Sequence, residues 1–277
     1  MLQTTLMPDF QPTPLEIAVL RFDPTAAYGI AAAHPAAAPV ELPVLAYHLD
    51  LPGRSVLVDA PDYDEAGTPD IYRLPDYVAP PPLTEQLRRH GIAPDTITDV
   101  IVTHAHFDHL GGLTLDDGDG PVPAFPGARH WLGRAEWQPE SFDALGLRTL
   151  AVIERAGLLH LTDGDVDLGD GLSLVAAPGE SPGHMLARAE LAGDVVYLAG
   201  DLYHHALEFS DPDLDVVWVD VAAMHASKRA LAVRAERERA RVYFSHIRGA
   251  HRVIRDGSEL RWIPPSSASH LGTASLP

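Results

Sequence analysis

The apolar positions of the chain fall in short runs separated by turn residues, a pattern typical of β-strands. Two such runs, at residues 44–49 and 55–59, flank Pro52 and Gly53, and this spacing predicts a β-hairpin. Later apolar runs predict five more strands, the last of them broken by an Asp256-Gly257 turn. These strands are predicted at residues 172–176, 187–191, 195–198, 241–244 and 252–262.

Helical patterns lie between these strands. We predict a short helix over residues 83–90, with Thr84 as its N-cap and Gly91 as its stop. A second helix is predicted over 141–156, weakened by Gly146, and a longer one over 222–240. Strands and helices mixed in this way indicate a layered α/β fold.

The domain organisation follows from what interrupts these elements. No internal repeat and no interior linker is found, so residues 1–277 are expected to form a single domain. Residues 1–14 are expected to be an extended N-terminal arm, and the Pro-, Asp- and Tyr-rich stretch 61–82 a long surface loop.

The composition and charge of the chain limit the kinds of molecule it is expected to bind. Hydrophobic residues make up 46% of the chain, enough for a substantial core, and 39 acidic against 20 basic residues give a formal charge of −19. That charge repels nucleic-acid backbones and anionic membranes, so we expect neither as a partner. The N-terminus lacks a secretory pattern and no run reaches the roughly 18 apolar residues of a membrane span, so a cytoplasmic location is the default expectation.

The densest group of candidate metal ligands lies at residues 104–109, shortly after the apolar run 100–102. His104, His106, Asp108 and His109 fall within six positions, and a purely structural role would require all four side chains to find polar partners in one short loop. We predict that a strand end aims His104 and His106 the same way, while the following loop aims Asp108 and His109. This division indicates two metal ions. The chain has no cysteine, so the ligands must be imidazoles and carboxylates.

Three later residues are candidates to complete the site. His184 follows a Pro182-Gly183 turn, Asp201 follows the apolar run that ends at Gly200, and His246 follows Ser245 after another such run. Strand ends are where a sheet-based fold gathers a site from distant segments. Taken alone, a single histidine of this kind is more often a hydrogen-bonded structural residue.

These motifs, in this order, resemble those of the metallo-β-lactamase superfamily over residues 43–263. The resemblance implies an αββα sandwich of two mixed β-sheets flanked by helices, with a dinuclear metal site at one edge. It implies that His104, His106 and His184 hold one ion, that Asp108, His109 and His246 hold the other, and that Asp201 bridges them.

The segment 200–209 and the helix after it are similar to the methyl parathion hydrolase and lactonase branch. Two positions depart from relatives. His204 stands where small acyl-homoserine lactonases usually carry a Tyr, and Glu180 stands where a His is common.

Hydrolysis is the chemistry such a site supports. Two divalent ions, two carboxylates and a bridging hydroxide leave a centre near +1, which can deliver hydroxide to a carbonyl carbon or to phosphorus. Zinc is the favoured metal, with manganese, cobalt and iron as alternatives. Asp108 is the candidate proton donor to the leaving group. Tyr203, His204 and Arg248, close in sequence to ligands, are candidates for substrate contact or for packing support.

We therefore expect a metal-dependent hydrolase of small-molecule esters, most favourably lactones. Phosphotriesters and aryl esters are the nearest alternative substrates. The alternatives from other functional classes are an iron-dependent persulfide dioxygenase and a non-catalytic metal-binding module. For the oligomeric state, a homodimer is one expectation.

Overall fold

The computed structural model describes residues 10–31, 38–62, 78–211 and 213–265. Its strands, in chain order, are β1 (Thr13–Phe22), β2 (Val40–Leu51), β3 (Arg54–Val58), β4 (Asp99–Ile101), β5 (Thr114–Asp116), β6 (Pro121–Pro123), β7 (Arg129–Gly133), β8 (Leu159–Thr162), β9 (Val166–Gly169), β10 (Leu172–Ala176), β11 (Met185–Leu191), β12 (Asp194–Leu198), β13 (Arg241–Tyr243), β14 (Arg252–Asp256) and β15 (Glu259–Ile263). Its α-helices are α1 (Pro24–Tyr28), α2 (Leu83–Arg89), α3 (Phe107–Leu110), α4 (Ala144–Arg148), α5 (Leu150–Arg155) and α6 (Val221–Glu238).

The strands form two large mixed sheets. The first has the order β1-β2-β3-β4-β7-β8, antiparallel from β1 to β3 and parallel from β3 onward. The second has the order β13-β12-β11-β10-β9, antiparallel except between β12 and β13. The predicted hairpin is confirmed, because β2 and β3 pair with Tyr47 opposite Val58 and Leu51 opposite Arg54.

The sheets pack face to face because both faces of their central strands are apolar. In β3, Val56 and Val58 point to the space between the sheets, while Leu57 points to the outer side. In β12, Val196 points inward and Tyr197 outward. Side chains alternate along a strand, so a continuous apolar run serves two cores at once.

Helices cover both outer faces. Leu83 and Leu87 of α2 pack on the first sheet together with residues of α5. Met224 and Leu231 of α6 pack on the second sheet, and Asp220 caps α6 by accepting the Ala223 N–H at 3.0 Å. The predicted αββα sandwich is confirmed.

Two local predictions were wrong. Thr84 does not cap α2, because Pro82 holds the N-cap position and no side-chain cap bond forms there. The helix predicted over 141–156 is two helices, α4 and α5, which are separated at Thr149. Gly146, where the weak point was expected, lies inside α4. Thr149 has φ −116° and ψ −88°, and its hydroxyl donates to the Leu145 carbonyl at 2.6 Å. This bond to the preceding turn competes with a continuous helix.

The range expected for the N-terminal arm, 1–14, overlaps the first strand. Thr13 and Pro14 already belong to β1, and residues 1–9 lie outside the described residues. Phe10 is buried, and its N–H donates to the Asp194 carboxylate at 3.1 Å. Residues 63–77, most of the expected loop 61–82, also lie outside the described residues. In the described part of the chain, no helix has the length and apolar character needed to cross a bilayer.

Candidate metal centre

The cluster at residues 104–109 follows the end of β4 and runs into a single helical turn. β4 ends at Ile101, so His104 and His106 lie beyond the strand that was expected to aim them. His106 is the N-cap residue of α3, and α3 carries Asp108 and His109. A helical turn, and not an irregular loop, therefore aims the second pair. The rings of His104 and His106 nevertheless lie together, with centroids 4.4 Å apart.

Asp201 lies at the middle of the cluster. Its Oδ2 is 3.2 Å from His246 Nε2, 3.3 Å from His109 Nε2 and 3.8 Å from His104 Nε2. Asp108 Oδ2 is 3.3 Å from His246 Nε2. The ligand atoms of Asp108, His109, Asp201 and His246 all lie within 4.8 Å of one another, a grouping able to hold a metal ion.

Gly200 allows Asp201 to reach this position. Gly200 follows β12 with φ 52°, in the left-handed region that favours glycine. A Cβ there would lie 2.7 Å from His184 Nε2 and 2.9 Å from the Thr103 hydroxyl. A larger residue would therefore push the Asp201 carboxylate away from the imidazoles.

Three of the imidazoles are oriented by hydrogen bonds from Nδ1, the ring nitrogen that faces away from the cluster. His109 Nδ1 faces Asp59 Oδ2 at 2.9 Å, His246 Nδ1 faces the Pro43 carbonyl at 2.8 Å, and His184 Nδ1 faces the Ala177 carbonyl at 3.1 Å. Carbonyl and carboxylate oxygens only accept, so each Nδ1 carries the proton. Each Nε2 is thereby turned to the cluster, the arrangement that metal-binding histidines usually have.

Asp59 is a functional residue that the sequence analysis missed. Besides holding His109, its carboxylate accepts the Thr103 N–H at 2.8 Å and the Thr103 hydroxyl at 3.0 Å. Its φ of 60° is a strained value for a residue other than glycine. The available signal was a carboxylate directly after the apolar strand β3.

Glu136 is a second missed residue. One carboxylate oxygen accepts the Ala105 N–H at 2.9 Å, and the other accepts the Gly183 N–H at 2.6 Å. It thus ties the His104 segment to the turn before His184. Nothing in the local sequence marked this role, because both partners are distant in the chain.

Several buried polar atoms of the cluster have no hydrogen-bond partner within the described residues. They include His104 Nε2, His109 Nε2, Asp201 Oδ1, Glu180 Oε2 and both ring nitrogens of His204. Buried polar atoms in folded proteins are almost always partnered, because an unpartnered one costs free energy. The donor set of imidazoles and carboxylates matches the ligands of zinc, manganese, cobalt and iron. The residues present therefore fit a metal centre.

The cluster is electrostatically coupled. Burial disfavours the charged form of His109, but Asp201, Asp59 and Asp108 outweigh burial and hold its pKa well above the usual value. Burial also opposes protonation of His246, yet Asp201 and Asp108 raise its pKa to about 9. Burial and the neighbouring histidines hold the pKa of His104 well below its usual value. An imidazole binds a metal through an unprotonated nitrogen, so His109 and His246 would each have to lose the proton from Nε2 to act as ligands.

Of the three histidines expected to hold the first ion, His104 and His106 share one group of possible ligands and His184 lies outside it. His104 and His106 form a group with Glu180, the ligand atoms of which all lie within 4.8 Å of one another. The His184 ring lies 5.2 Å from the His104 ring, and its Nε2 accepts the Asp201 N–H at 3.2 Å. The assignment of particular ligands to particular ions stays a prediction.

A cavity of about 320 Å³ opens at the cluster. One side is formed by the polar residues His106, Asp108, Glu180, Asp201, His204 and His246. The other is apolar and is formed by Leu20, Phe22, Leu42, Phe107 and Trp218. A small molecule could thus lie against the polar cluster while its apolar part contacts the facing wall.

Of the three expected substrate contacts, only His204 lines this cavity. The Tyr203 side chain points away, where its hydroxyl accepts the Trp262 N–H at 3.0 Å and its ring lies 4.8 Å from Lys228 Nζ. Arg248 is an exposed side chain held by Glu16 at 2.6 and 2.8 Å. These two side chains lie outside the cavity lining, which favours packing support over substrate contact, the two alternatives expected for them.

Residues 40–246 match the sequence model of a protein family, the metallo-beta-lactamase superfamily. The chain belongs to this superfamily. An N-acyl homoserine lactonase of Bacillus cereus is 27% identical over 174 residues, which cover 60% of this chain and 64% of that protein. Metallo-beta-lactamase domain-containing protein 1 of Xenopus laevis is 31% identical over 127 residues, 43% of this chain and 46% of that protein.

Two solved structures share the fold. A hydrolase called AbOPH superposes with a TM-score of 0.74 at 17% identity, covering 94% of this chain and 96% of that one. AidC, a dizinc quorum-quenching lactonase, superposes with a TM-score of 0.71 at 17% identity, over 93% and 98% of the two chains. The curated relatives are matched over only part of their length, from 46% for the Xenopus protein to 64% for the Bacillus cereus protein.

Proposed function

We propose that this metallo-β-lactamase superfamily member is a dinuclear metal-dependent hydrolase that opens an ester bond, most favourably that of a lactone. The observation that carries the proposal is the position of Asp201 Oδ2, 3.2 to 3.8 Å from the Nε2 atoms of His104, His109 and His246 in a buried cluster with unpartnered donor atoms. One carboxylate among imidazoles on two sides suits a bridge between two ions.

Two divalent ions, when bound, lower the pKa of water toward neutrality and polarise the carbonyl oxygen of a substrate. Asp108 lines the cavity, so its carboxylate can carry a proton to the leaving oxygen of the opened ring. Asp59 orients the His109 ring and keeps its Nε2 toward the cluster.

The preference for a lactone rests on the cavity and on the relatives. The apolar wall of Phe22, Leu42 and Trp218 suits an uncharged substrate with an apolar part, and 320 Å³ lies at the small end of ligand pockets, which span roughly 300–1,000 Å³. The Bacillus cereus relative is an N-acyl homoserine lactonase.

The test is a hydrolysis panel on protein of measured metal content. Lactones, aryl esters and phosphotriesters are compared by kcat/KM in the zinc-loaded protein, in the chelator-treated protein and in His109→Ala. We expect the lactones to be hydrolysed fastest, with activity lost on chelation and in His109→Ala and restored to the wild type by zinc.

Other outcomes would contradict parts of the proposal. Activity confined to phosphotriesters would overturn the substrate class. One iron per chain with oxygen consumption on a thiol substrate would replace hydrolysis by dioxygenation. Unchanged activity in His109→Ala would favour a metal-binding module without a catalytic role for this cluster.

A further inference from the structure

Glu180 is a buried carboxylate that lies among imidazoles and accepts one hydrogen bond, from Trp218. It lies in the turn before His184, 4% exposed. Its Oε1 accepts the Trp218 indole N–H at 2.7 Å and is 3.2 Å from His106 Nδ1. Its Oε2 is 3.3 Å from His204 Nε2 and has no hydrogen-bond partner among the described residues.

Other buried carboxylates have ordinary structural explanations. Both oxygens of Glu136 accept backbone N–H groups. The oxygens of Glu208 accept from the Tyr28 hydroxyl at 2.8 Å and from Lys228 Nζ at 2.8 Å. Glu180 differs because Oε2 has no hydrogen-bond donor and both of its oxygens lie against imidazoles, Oε1 3.2 Å from His106 Nδ1 and Oε2 3.3 Å from His204 Nε2.

The neighbours of Glu180 are metal-ligand types. Among the described residues, three groups have ligand atoms within 4.8 Å of one another, and Glu180 belongs to two of them. One group joins it to His104 and His106, and the other joins it to Asp201 and His204. His184, the residue expected beside His104 and His106, has its Nε2 occupied by the Asp201 N–H.

We propose that Glu180 is a direct ligand of the ion held by His104 and His106, so that the metal centre contains a third carboxylate. This inference rests on the metal centre of the proposed function. Glu180 adds a carboxylate of its own to the two imidazoles of that ion, and a pair of imidazoles with a carboxylate is found with zinc in hydrolases and with iron in oxygenases. It also lowers the net charge of a loaded centre by one, from near +1 to near zero.

The alternative role for Glu180 is that of a counter-ion to His204 with no bond to the metal. His204 lies between two carboxylates, with Nε2 3.3 Å from Glu180 and Nδ1 3.6 Å from Glu208. Glu208→Gln is therefore a matched control, because it removes a carboxylate from the far side of the same imidazole and leaves the metal-facing atoms in place.

The experiment measures metal binding, not turnover. Metal-free wild type, Glu180→Gln and Glu208→Gln are titrated with zinc against a chromophoric chelator, and bound metal is counted by mass spectrometry after dialysis. Each protein is also loaded with cobalt(II), because its visible absorption depends on the number and type of ligands. Circular dichroism confirms that each variant is folded.

We expect Glu180→Gln to weaken one of two zinc sites by at least about 100-fold, above the 10–100-fold cost of losing a residue that only supports a ligand. Its cobalt spectrum should change. Glu208→Gln should keep both affinities within about threefold and the wild-type spectrum. If Glu208→Gln does not fold, Trp218→Phe replaces it as a control, since it removes the indole N–H and leaves the Glu180 carboxylate.

Glu180→Gln with both zinc affinities within about threefold of wild type and an unchanged cobalt spectrum would overturn the assignment, as would a wild type that binds no metal. A wild type that binds two ions through Glu180 but hydrolyses no ester would contradict the proposed function alone. An active lactonase indifferent to Glu180→Gln would contradict this assignment alone.

Discussion

Two buried polar clusters lie toward opposite ends of β4, and they differ in how well their atoms are partnered. At the start of the strand, Asp99 is fully buried and accepts from Arg129 at 3.0 Å, from Trp131 at 2.9 Å and from the Thr98 hydroxyl at 2.9 Å. Arg54 Nη1 lies 3.4 Å from Asp99 Oδ2. Every oxygen of this carboxylate is used.

Beyond the end of the strand, Asp201 and the imidazoles around it are equally buried but incompletely partnered. Asp201 Oδ1, His104 Nε2 and His109 Nε2 have no hydrogen-bond partner in the described part of the chain. Both clusters bury charge in the same fold. The difference indicates that the Asp99 cluster stabilises the first sheet, while the Asp201 cluster retains donor atoms for a ligand.

The largest effect should come from Asp201→Asn. The change keeps the size of the side chain but removes the negative charge shared by His109 and His246, so we expect kcat/KM to fall by at least about 10³-fold, a few kcal/mol of transition-state stabilisation. Bound metal should fall below two ions per chain. Steady-state kinetics and metal analysis on one sample measure both effects, and wild-type activity would remove Asp201 from the centre.

Asp99→Asn should act on stability. It leaves the largely buried Arg54 without its buried counter-charge, and we expect the free energy of unfolding to fall by about 3–5 kcal/mol, as when one partner of a buried ion pair is removed. Urea denaturation measures the loss. Bound metal and kcat/KM of the folded protein should be unchanged.

The matched control for Asp99→Asn is Asp170→Asn. Asp170 pairs with the same Arg54, at 3.2 Å, but its side chain is 63% exposed. We expect a loss of about 0–1 kcal/mol, typical of an exposed ion pair. Equal losses in the two variants would contradict the structural role assigned to the Asp99 cluster.

Asp59→Asn should weaken metal binding by about 10–100-fold with little change in stoichiometry at saturating zinc, because Asp59 orients His109 without facing the ions itself. Chelator competition measures the affinity. Ser245→Ala is the control, since the Ser245 hydroxyl only donates to Asp59 at 3.3 Å. An affinity loss as large as that of Asp201→Asn would mean that Asp59 is itself a ligand.

Arg248→Ala should have the smallest effect. Arg248 pairs with Glu16 at the surface, and its side chain is 51% exposed. We expect kcat/KM within about twofold of wild type and a stability change of about 0–1 kcal/mol. A tenfold rise in KM on the preferred substrate would show instead that Arg248 contacts substrate.

Much of the fold was predictable because its signals are local. The β2–β3 hairpin follows from apolar runs on either side of Pro52-Gly53, and α6 follows from a long helical pattern that ends at Arg239 with φ 52°. The break at Thr149 was not predictable from Gly146, because it depends on the Thr149 hydroxyl bonding back to Leu145.

The site divides along the same line. His104, His106, Asp108 and His109 were found because four ligand types crowd one segment. Glu180 was noted only as a departure, because its environment is made by Trp218 and His204, which are distant in sequence. For Tyr203 and Arg248 the sequence left substrate contact and packing support open, since sequence neighbours of a ligand need not share its direction.

The sequence by itself determined the ligand types, their places at strand ends, the absence of cysteine ligands and the alternation that buries two sheets against each other. Only the tertiary structure decided which of these atoms meet and which remain unpartnered. The physical reason is that side-chain chemistry and periodicity are local, whereas hydrogen-bond satisfaction is set by groups such as Asp59 and His109, or Glu136 and Gly183, that only folding brings together.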